Sequence, residues 1–431
     1  MDSTWRRGLT GVTGGVAVLP LLVLFTLNFV DEFDRIAFDA LAPEIRDAFG
    51  LSDGGLSTLR AVPAVLALLV ALPVGVLADR SDRVRISIGA ALLWGAAAVL
   101  TGVVPLLALL YAVRFASGLG RITNEVVHPS LLTDYYPRRA HPRVFSVHRM
   151  ANALGPVAGP IAGIVAAAFF WQAAFFLLAI PTGVALVLAR RLREPPRGEP
   201  SDAAVIAARE GPPIAFLEAR RLLFGVPTLR RLWIGAFFFG LGTLQLGTLI
   251  SLYFDRVFDY GSVGRGFVQF LLGAGTVAGI VVGGRAAAAL TDGGRAHRLP
   301  LVVGGAFAPF AVGMLTLAAA PVSGLALVGA FLVAAGNGAY QPAYFSIVGI
   351  VAPARIRSQA YAWAVVIYAT GGLAYLLVFG AFGGEDGSYR GLTLALAAIT
   401  TVAGLIGMSS SRFMRTDAAR ADQALGEDQE I

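Results

Sequence analysis

The chain of 431 residues contains no cysteine and no lysine, and only 14% of its residues are charged. Without cysteine, the protein can form neither disulfide bonds nor thiolate metal sites. All 34 basic residues are therefore arginines, and with 27 acidic residues they give a formal net charge of +7. A soluble domain has about 25% charged residues. Because 56% of the residues are also hydrophobic, we predict an integral membrane protein, and we attribute the positive charge to its cytoplasmic face rather than to nucleic-acid binding.

Twelve apolar stretches follow one another along the chain, each close to the roughly 20 residues that a helix needs to cross a bilayer. We number them spans 1 to 12, and they cover residues 16–38, 57–77, 86–104, 106–132, 144–169, 172–189, 231–254, 267–290, 299–320, 323–349, 359–382 and 391–411. A proline-rich polar linker, residues 190–230, separates the first six spans from the last six. We therefore predict an all-α membrane protein with twelve transmembrane helices in two six-helix bundles, residues 1–189 and 231–411, followed by a charged, disordered tail over 412–431.

The arginines mark one side of the membrane, since they are concentrated in the loops after spans 2, 4, 6, 8 and 10. By the positive-inside rule, this predicts a multi-pass protein of the cell membrane with both termini in the cytoplasm. Arg6 and Arg7 precede the first apolar run, as in a signal peptide, but no small-residue cleavage site follows, so we expect span 1 to be retained. Within the linker, residues 214–224 are either a helix on the membrane surface, with Arg220 and Arg221 at lipid phosphates, or part of a simple tether.

Span 1 contains a cluster of ionisable residues, Asp31, Glu32, Asp34 and Arg35. On insertion scales, each such residue costs roughly 2.5–3.5 kcal/mol at the centre of a bilayer. Asp31, Arg35 and Asp39 recur every four residues and therefore share one helical face. Such a face is expected to look into the protein interior or into a wet cavity, and we interpret it as the functional centre.

Span 4 carries a second charged face, formed by Arg114, Arg121 and Glu125 at spacings of seven and four residues. His128 follows Glu125 by one turn. It is interpreted either as a proton relay or as a structural histidine beside the helix-bending Pro129.

The second half of the chain has little interior charge and many aromatic residues. Tyr361, Tyr368 and Tyr375 recur every seven residues in span 11, while Tyr340 and Gln341 lie in span 10. A stripe at this spacing is either a packing seam or a binding surface. A charged half that faces an aromatic half would suit an amphipathic substrate, and we take Tyr340, Gln341 and Tyr368 as candidate substrate-binding residues.

The sequence contains no grouping of His, Asp and Glu with metal-ligand spacing and no nucleophile–base arrangement. We therefore expect no metal site, no cofactor and no enzymatic activity.

The segment between spans 2 and 3, residues 75–85, reads GVLADRSDRVR. It resembles the signature loop of the major facilitator superfamily, Gly-x-Leu-Ala-Asp-Arg-x-Gly-Arg-Arg/Lys, with aspartate in place of the turn glycine. Gly75 would allow close helix approach, and Asp79 could cap a helix start. The resemblance implies transport by alternating access, with Gly75, Asp79, Arg80 and Arg83 at the gate.

Two further stretches resemble motifs of proton-coupled drug antiporters in that superfamily. In span 4, Arg114 begins a match to Arg-x-x-x-Gly-x-Gly, whose arginine is implicated in proton coupling. In span 5, residues 155–164 read GPVAGPIAGI and are similar to the antiporter motif Gly-x-x-x-Gly-Pro-x-x-Gly-Gly. The same glycines would also allow close helix packing.

A narrower resemblance, over spans 1 to 5, is to the spinster family, whose members move lysophospholipids and sphingoid lipids. It rests on Asp34-Arg35 in span 1 and on a later proline, aspartate and arginine that match Pro129, Asp134 and Arg143. We add Arg143 to the candidate gate residues. There are two departures, since the family has asparagine at position 31 and glutamate at position 121.

The resemblance implies that spans 1 and 4 line a central cavity, where their charged residues meet. Four acids would face three arginines there: Asp31, Glu32, Asp34 and Glu125 against Arg35, Arg114 and Arg121. One carboxylate is then in surplus, and a surplus buried carboxylate is a natural proton carrier. We predict Asp34 as the main proton site and the three arginines as substrate ligands, with a purely structural ion-pair network as the alternative.

The predicted function is proton-coupled export of an amphipathic or lipid-like small molecule by a monomer surrounded by membrane lipids. Two alternatives stay open. One is proton-coupled uptake of an organic anion, and the other is a non-transporting receptor or assembly partner with the same fold.

Overall fold

A computed structural model describes residues 11–51, 53–155, 158–198, 214–243, 246–382 and 389–423. In this part of the chain every regular element is helical. The helices form two bundles of six spans, as predicted, and several spans are built from two consecutive helices.

Nine α-helices lie before the linker among the described residues. They are α1 (Leu19–Ala40), α2 (Ala42–Phe49), α3 (Asp53–Arg80), α4 (Arg83–Thr101), α5 (Leu107–Tyr135), α6 (His141–Leu154), α7 (Ala158–Ala168), α8 (Ala173–Leu177) and α9 (Ala179–Ala189). Span 1 is α1, and spans 2, 3 and 4 are α3, α4 and α5. Span 5 comprises α6 and α7, and span 6 comprises α8 and α9.

The linker and the second half supply the remaining described α-helices. They are α10 (Phe216–Phe224), α11 (Pro227–Thr243), α12 (Leu246–Phe258), α13 (Ser262–Asp292), α14 (Leu299–Gly305), α15 (Phe307–Ala319), α16 (Ser323–Ala339), α17 (Gln341–Val351), α18 (Arg357–Phe382), α19 (Tyr389–Ser409) and α20 (Ser411–Gln423). Span 7 is α11 with α12, span 8 is α13, span 9 is α14 with α15, and span 10 is α16 with α17. Spans 11 and 12 are α18 and α19.

By length and hydropathy alone, six stretches of the described residues would cross a membrane, or seven if the bent pair Ile161–Ala168 and Ala173–Ala189 forms one span. Span 1 is not among them, because four of its residues between Asp31 and Arg35 are ionisable. Its place in the bundle follows from packing, since α1 contacts spans 4, 5 and 6.

One end of the bundle, which we call the linker end, carries the loops 81–82, 136–140, 190–198, 293–298 and 352–356. There the halves are in close contact. A Cβ atom added to Gly75 of span 2 would lie 2.8 Å from the Ala362 methyl carbon and 3.1 Å from the Gln359 Cα of span 11. Spans 2 and 11 approach this closely only because position 75 has no side chain.

Span 10 breaks where it reaches the centre of the protein. Helix α16 ends at Ala339, and α17 begins at Gln341 with Pro342 in its first turn. Proline has no N–H to continue the hydrogen-bond ladder, so it marks the boundary between two helices. The break places Tyr340 and Gln341 at the interface between the halves.

The prediction of a disordered tail is wrong for its first part. Residues Ser411–Gln423 form α20, which packs on the start of span 7. The Asp417 carboxylate accepts a hydrogen bond from the Thr228 backbone N–H at 2.8 Å, and the Arg231 guanidinium lies 4.0 Å from the Phe413 ring centroid. These contacts hold helix α20 in place, although the charged composition of the tail suggests disorder.

Candidate functional site

A cavity of about 1730 Å³ lies between the two halves. The first half contributes charged side chains to its wall: Glu32, Arg35, Arg114, Arg121, Glu125 and Arg149. The second half contributes mainly aromatic ones: Phe239, Phe307, Tyr340, Tyr344, Tyr361 and Tyr368. All six predicted substrate-binding residues line this cavity, including Gln341. Asp31 and Asp34 are buried behind the wall.

Asp34 is held in a buried ion pair. Its carboxylate accepts hydrogen bonds from Arg114 at 3.0 and 3.2 Å and from the Ser117 hydroxyl at 2.9 Å. Arg114 in turn lies over the Phe38 ring, 4.3 Å from its centroid. Spans 1 and 4 are thus joined by an aspartate whose charge is already compensated.

Glu32 is the acid that two arginines of the cavity wall, Arg35 and Arg121, share. Arg35 donates a hydrogen bond to it, and Arg121 lies 3.4 Å away. Its side chain fills the space left by Gly155 of span 5, where an added Cβ would lie 2.5 Å from the Glu32 Cγ. The first glycine of the antiporter-like segment therefore makes room for a charged residue of span 1.

Asp31 has a different environment. Its carboxylate accepts a hydrogen bond from the Asn124 amide at 3.0 Å, and no arginine among the described residues forms an ion pair with it. The compensating pair that its charge suggests with Arg121 is absent at contact distance, since Arg121 pairs with Glu32 instead. Of the four candidate proton sites, Asp31 is the one that forms no ion pair with the described residues.

Arg149 of span 5 is a central residue that the sequence analysis missed. It donates two hydrogen bonds of 2.9 Å to the Glu125 carboxylate and one of 3.0 Å to Gln341 in the other half. Its guanidinium also lies 5.0 Å from the centroid of the Phe345 ring. A lone arginine inside a predicted span was the available signal, by the same reasoning that singled out span 1.

The charge count must be revised accordingly. With Arg149, and with Asp39, which lies 3.5 Å from Arg35, the cluster has five acids and four arginines. The predicted surplus of one carboxylate is retained, but its location changes, because Asp34 and Glu125 both have arginine partners.

His128 lies in a buried polar group behind the cavity. Its Nδ1 is 3.4 Å from the Nε2 of His148, and Asn28 donates to the His148 backbone carbonyl at 3.2 Å and to Asn152 at 2.9 Å. These contacts join spans 1, 4 and 5. They are compatible with either interpretation of His128.

The tyrosine stripe of span 11 divides into two parts. Tyr368 shares a hydrogen bond of 3.0 Å with Thr243, and Tyr361 donates one of 2.9 Å to the Phe345 carbonyl, both at the cavity wall. Tyr375 is buried in the apolar core instead. Tyr340 packs edge-on against Phe239 with 4.6 Å between ring centroids. The stripe is therefore partly a cavity surface and partly a packing seam.

At the linker end, Asp79 bridges the halves. Its carboxylate accepts hydrogen bonds from the backbone N–H groups of Ser358 and Gln359 at 2.9 and 3.0 Å, and from the Gln359 side chain at 3.1 Å. Because α18 begins at Arg357, these N–H groups belong to its first turn and lack partners within the helix. A carboxylate at this helix end is also favoured by the helix dipole.

A second bridge lies beside it. The buried Arg83 donates to Asp134 at 2.5 Å, and Asp134 also pairs with Arg357 of span 11. From the linker, Glu194 pairs with Arg83 at 2.6 Å and Arg197 donates to backbone carbonyls at the end of span 2. The first part of the linker is therefore built into the interface, which a simple tether would not be.

The other two predicted gate residues lie at the edge of this interface. Arg143 hydrogen-bonds to Asp292 of span 8, and Arg80 donates to the Ile214 carbonyl in the linker at 3.2 Å. All five candidate gate residues thus surround one contact between the halves. Their role in gating stays a prediction.

Comparison with known proteins identifies the family. Residues 24–375, more than half of the chain, match the family described as Major Facilitator Superfamily. The chain belongs to the major facilitator superfamily. Solved superfamily structures share its fold: the E. coli transporter FucP in the outward conformation has a TM-score of 0.72 at 14% identity, over 92% of this chain and 98% of that one. The human organic anion transporter MFSD10 has a TM-score of 0.69 at 15% identity, over 90% and 99%.

The curated relatives match only part of this chain and part of their own length. Protein spinster homolog 1 of Bos taurus is 26% identical over 49% of this chain and 40% of its own length. A probable sulfoacetate transporter of Cupriavidus necator is 27% identical over 40% of this chain and 41% of its own, and a hexuronate transporter of Bacillus subtilis is 26% identical over 47% and 50%. The matched part of this chain therefore spans about half the length of these relatives or less. The superfamily is one of membrane transporters rather than enzymes.

Proposed function

We propose that the protein exports an amphipathic or lipid-like small molecule in exchange for protons by alternating access. The observation that carries this proposal is the two-sided wall of the central cavity, charged on the first half and aromatic on the second. A polar headgroup would meet Arg35 and Arg121, whose side chains keep about a third of their surface exposed (36% and 33%). An apolar tail would lie against Tyr340 and Tyr368.

The size of the cavity favours a large substrate. Pockets for drug-sized ligands measure roughly 300–1,000 Å³, and this one holds about 1730 Å³. A small organic acid would leave most of the aromatic wall without contact, whereas an amphiphile with a long tail would cover it. The similarity to spinster homologues over about half of the chain supports the same class.

For proton coupling we assign the central role to Asp31 rather than Asp34. Asp34 is neutralised by Arg114, while Asp31 is buried with only the Asn124 amide as its hydrogen-bond partner among the described residues. Gain or loss of a proton at Asp31 changes the charge directly beside the Glu32–Arg121 pair, which faces the cavity. Headgroup binding beside this pair would then depend on whether Asp31 carries a proton.

Alternating access is supported by the contrast between the two ends. The linker end is closed by the Asp79 and Asp134 bridges, while the cavity wall extends to Ala40 and Gly266 near the other end of spans 1 and 8. If the arginine-rich linker end is cytoplasmic, this conformation is open to the outside. Release of both bridges would open the cavity to the cytoplasm.

A second candidate is proton-coupled uptake of an organic anion. The partly exposed Arg35 and Arg121 favour it, as do relatives named for sulfoacetate and hexuronate and a structural neighbour named for organic anions. A receptor without transport is the third possibility, and an absence of any proton flux under any ligand would favour it.

The test uses purified protein in vesicles with an imposed pH gradient. A fluorescent lysophospholipid is the amphipathic probe, and radiolabelled glucuronate is the organic anion. We expect lysophospholipid to move against its gradient as protons move inward, and an uncoupler to abolish this movement. Gradient-driven flux of glucuronate with none of lysophospholipid would overturn the proposal in favour of anion uptake.

A further inference from the structure

The linker helix α10 has two apolar edges, and only one of them is covered. Ala219 and Leu223 are buried, and the Phe224 ring packs against Trp233 and Trp363 with centroids 5.0 and 5.1 Å apart. On another edge, Leu217 keeps 67% of its surface exposed. The covered edge fixes the helix to spans 7 and 11, so the exposed edge has a defined place at the linker end.

A groove of about 630 Å³ runs between this helix and span 11. It is lined by Leu217, Arg220, Arg221, Phe224, Gly225 and Trp363. None of these residues lines the central cavity. The groove is therefore a separate site, which the transport cycle described above does not use.

The two arginines of the groove differ from the other functional arginines of the protein. Arg83, Arg114, Arg143 and Arg149 all pair with carboxylates. No carboxylate among the described residues lies within ion-pair distance of Arg220 or Arg221. They therefore present two adjacent positive charges that no carboxylate in the described part of the chain neutralises.

One residue that lines the groove carries a hydrogen-bond donor that the described residues leave unsatisfied. The indole Nε1 of Trp363 is buried and has no acceptor among the described residues. A suitable ligand would combine an anionic group for the arginines, an apolar part for Leu217 and Phe224, and oxygen acceptors between them. The phosphate, ester oxygens and acyl chains of a phospholipid follow one another in this order.

We propose that this groove binds one anionic phospholipid of the adjoining membrane leaflet. Its phosphate lies at Arg220 and Arg221, because guanidinium groups bind phosphate oxygens with paired hydrogen bonds. An acyl chain covers Leu217, as on other amphipathic helices at the membrane interface. A soluble phosphate ester would satisfy the arginines but would leave Leu217 in water.

The test is native mass spectrometry of the full-length protein in detergent with equal amounts of phosphatidylglycerol and phosphatidylcholine. We expect wild type to retain one phosphatidylglycerol in preference. Because a basic residue near the surface contributes about 1 kcal/mol to anionic-lipid binding, Arg220→Gln with Arg221→Gln should reduce this retention by about tenfold or more. Leu217→Gln, which keeps both arginines, should also reduce it.

The matched control is Arg190→Gln with Arg191→Gln, which removes the same charge from two exposed residues at the linker end. It should leave retention unchanged, and thermal unfolding should show all variants folded. Wild-type retention in the Arg220/Arg221 variant would overturn the proposal. Displacement of the lipid by millimolar glycerol phosphate, or by an acidic peptide, would overturn it in favour of a soluble ligand.

Discussion

Gly75→Ala should open the linker end of the protein. In the structure, the added methyl would lie 2.8 Å from the Ala362 methyl carbon and 3.1 Å from both the Gln359 Cα and the Ser358 carbonyl oxygen. Two of these three atoms are backbone, so span 11 must move as a whole. The strain exists only while spans 2 and 11 are in contact, and it disappears once the halves separate there.

The size of the effect follows from the cost of overpacking, which is about 1–3 kcal/mol for a buried methyl. A penalty of about 2 kcal/mol on the closed state alone multiplies the ratio of open to closed molecules by about thirty. Alanine is also a better helix former than glycine by about 1 kcal/mol. That gain applies to both states and does not change their ratio.

The assay is labelling of Ala78→Cys with a membrane-impermeant thiol reagent, which is specific because the chain has no cysteine of its own. Ala78 is fully buried one turn after Gly75, so its labelling rate reports the open fraction. Gly89→Ala is the matched control, because a Cβ at this helical glycine has no atom within 4 Å. Arg85→Cys, with an 86% exposed side chain, should label equally in every variant.

Ala362→Gly in the Gly75→Ala background removes the nearest clash and should restore part of the wild-type protection. If Gly75→Ala labels no faster than Gly89→Ala, the contact between spans 2 and 11 does not hold the linker end closed. A faster rate without rescue by Ala362→Gly would place the strain elsewhere.

Three further predictions concern the charges. Asp79→Asn should speed the labelling of Ala78→Cys about tenfold or more, since hydrogen bonds to a charged group contribute about 1.5–3 kcal/mol each. An unchanged labelling rate would show that the Asp79 bridge does not hold the linker end closed. Gly155→Ala should displace Glu32, because the Glu32 Cγ would lie 2.5 Å from the new methyl. Gradient-driven transport should then fall while expression stays normal. Full transport would show that the position of the Glu32 side chain is not needed. Arg121→Glu should destabilise the bundle by like-charge crowding. Adding Asp31→Asn should recover at least about 0.5–1 kcal/mol of the free energy of unfolding, measured by thermal unfolding. Strictly additive effects would show that the two positions are independent.

The architecture follows from the sequence because a membrane span needs a long apolar run, and twelve such runs are present. The signature loop suggests that Asp79 could cap a helix start, and in the structure Asp79 accepts hydrogen bonds from backbone N–H groups in the first turn of α18. That the helix belongs to span 11 is a matter of tertiary packing. The same is true of the linker, where Glu194 pairs with Arg83 although the composition suggests only a tether.

The partners within the cluster could not be predicted, because spacing places residues on a face but does not set the register between two helices. Asp31 and Asp34 are one turn apart on span 1. Their partners on span 4, Asn124 and Arg114, are ten residues or about 15 Å apart. Only the packed structure decides which aspartate meets the arginine, and Arg149 enters the cluster from a third span.

The most direct test of the account compares Asp31→Asn with Asp34→Asn in reconstituted vesicles. Two quantities are measured with the lysophospholipid probe: movement driven by a pH gradient, and exchange between equal concentrations without a gradient. Asp31→Asn should abolish the first and retain the second, because it removes the proton site without removing an ion pair. Asp34→Asn should impair both, because it leaves Arg114 buried without its carboxylate. Full gradient-driven transport by Asp31→Asn would contradict the account.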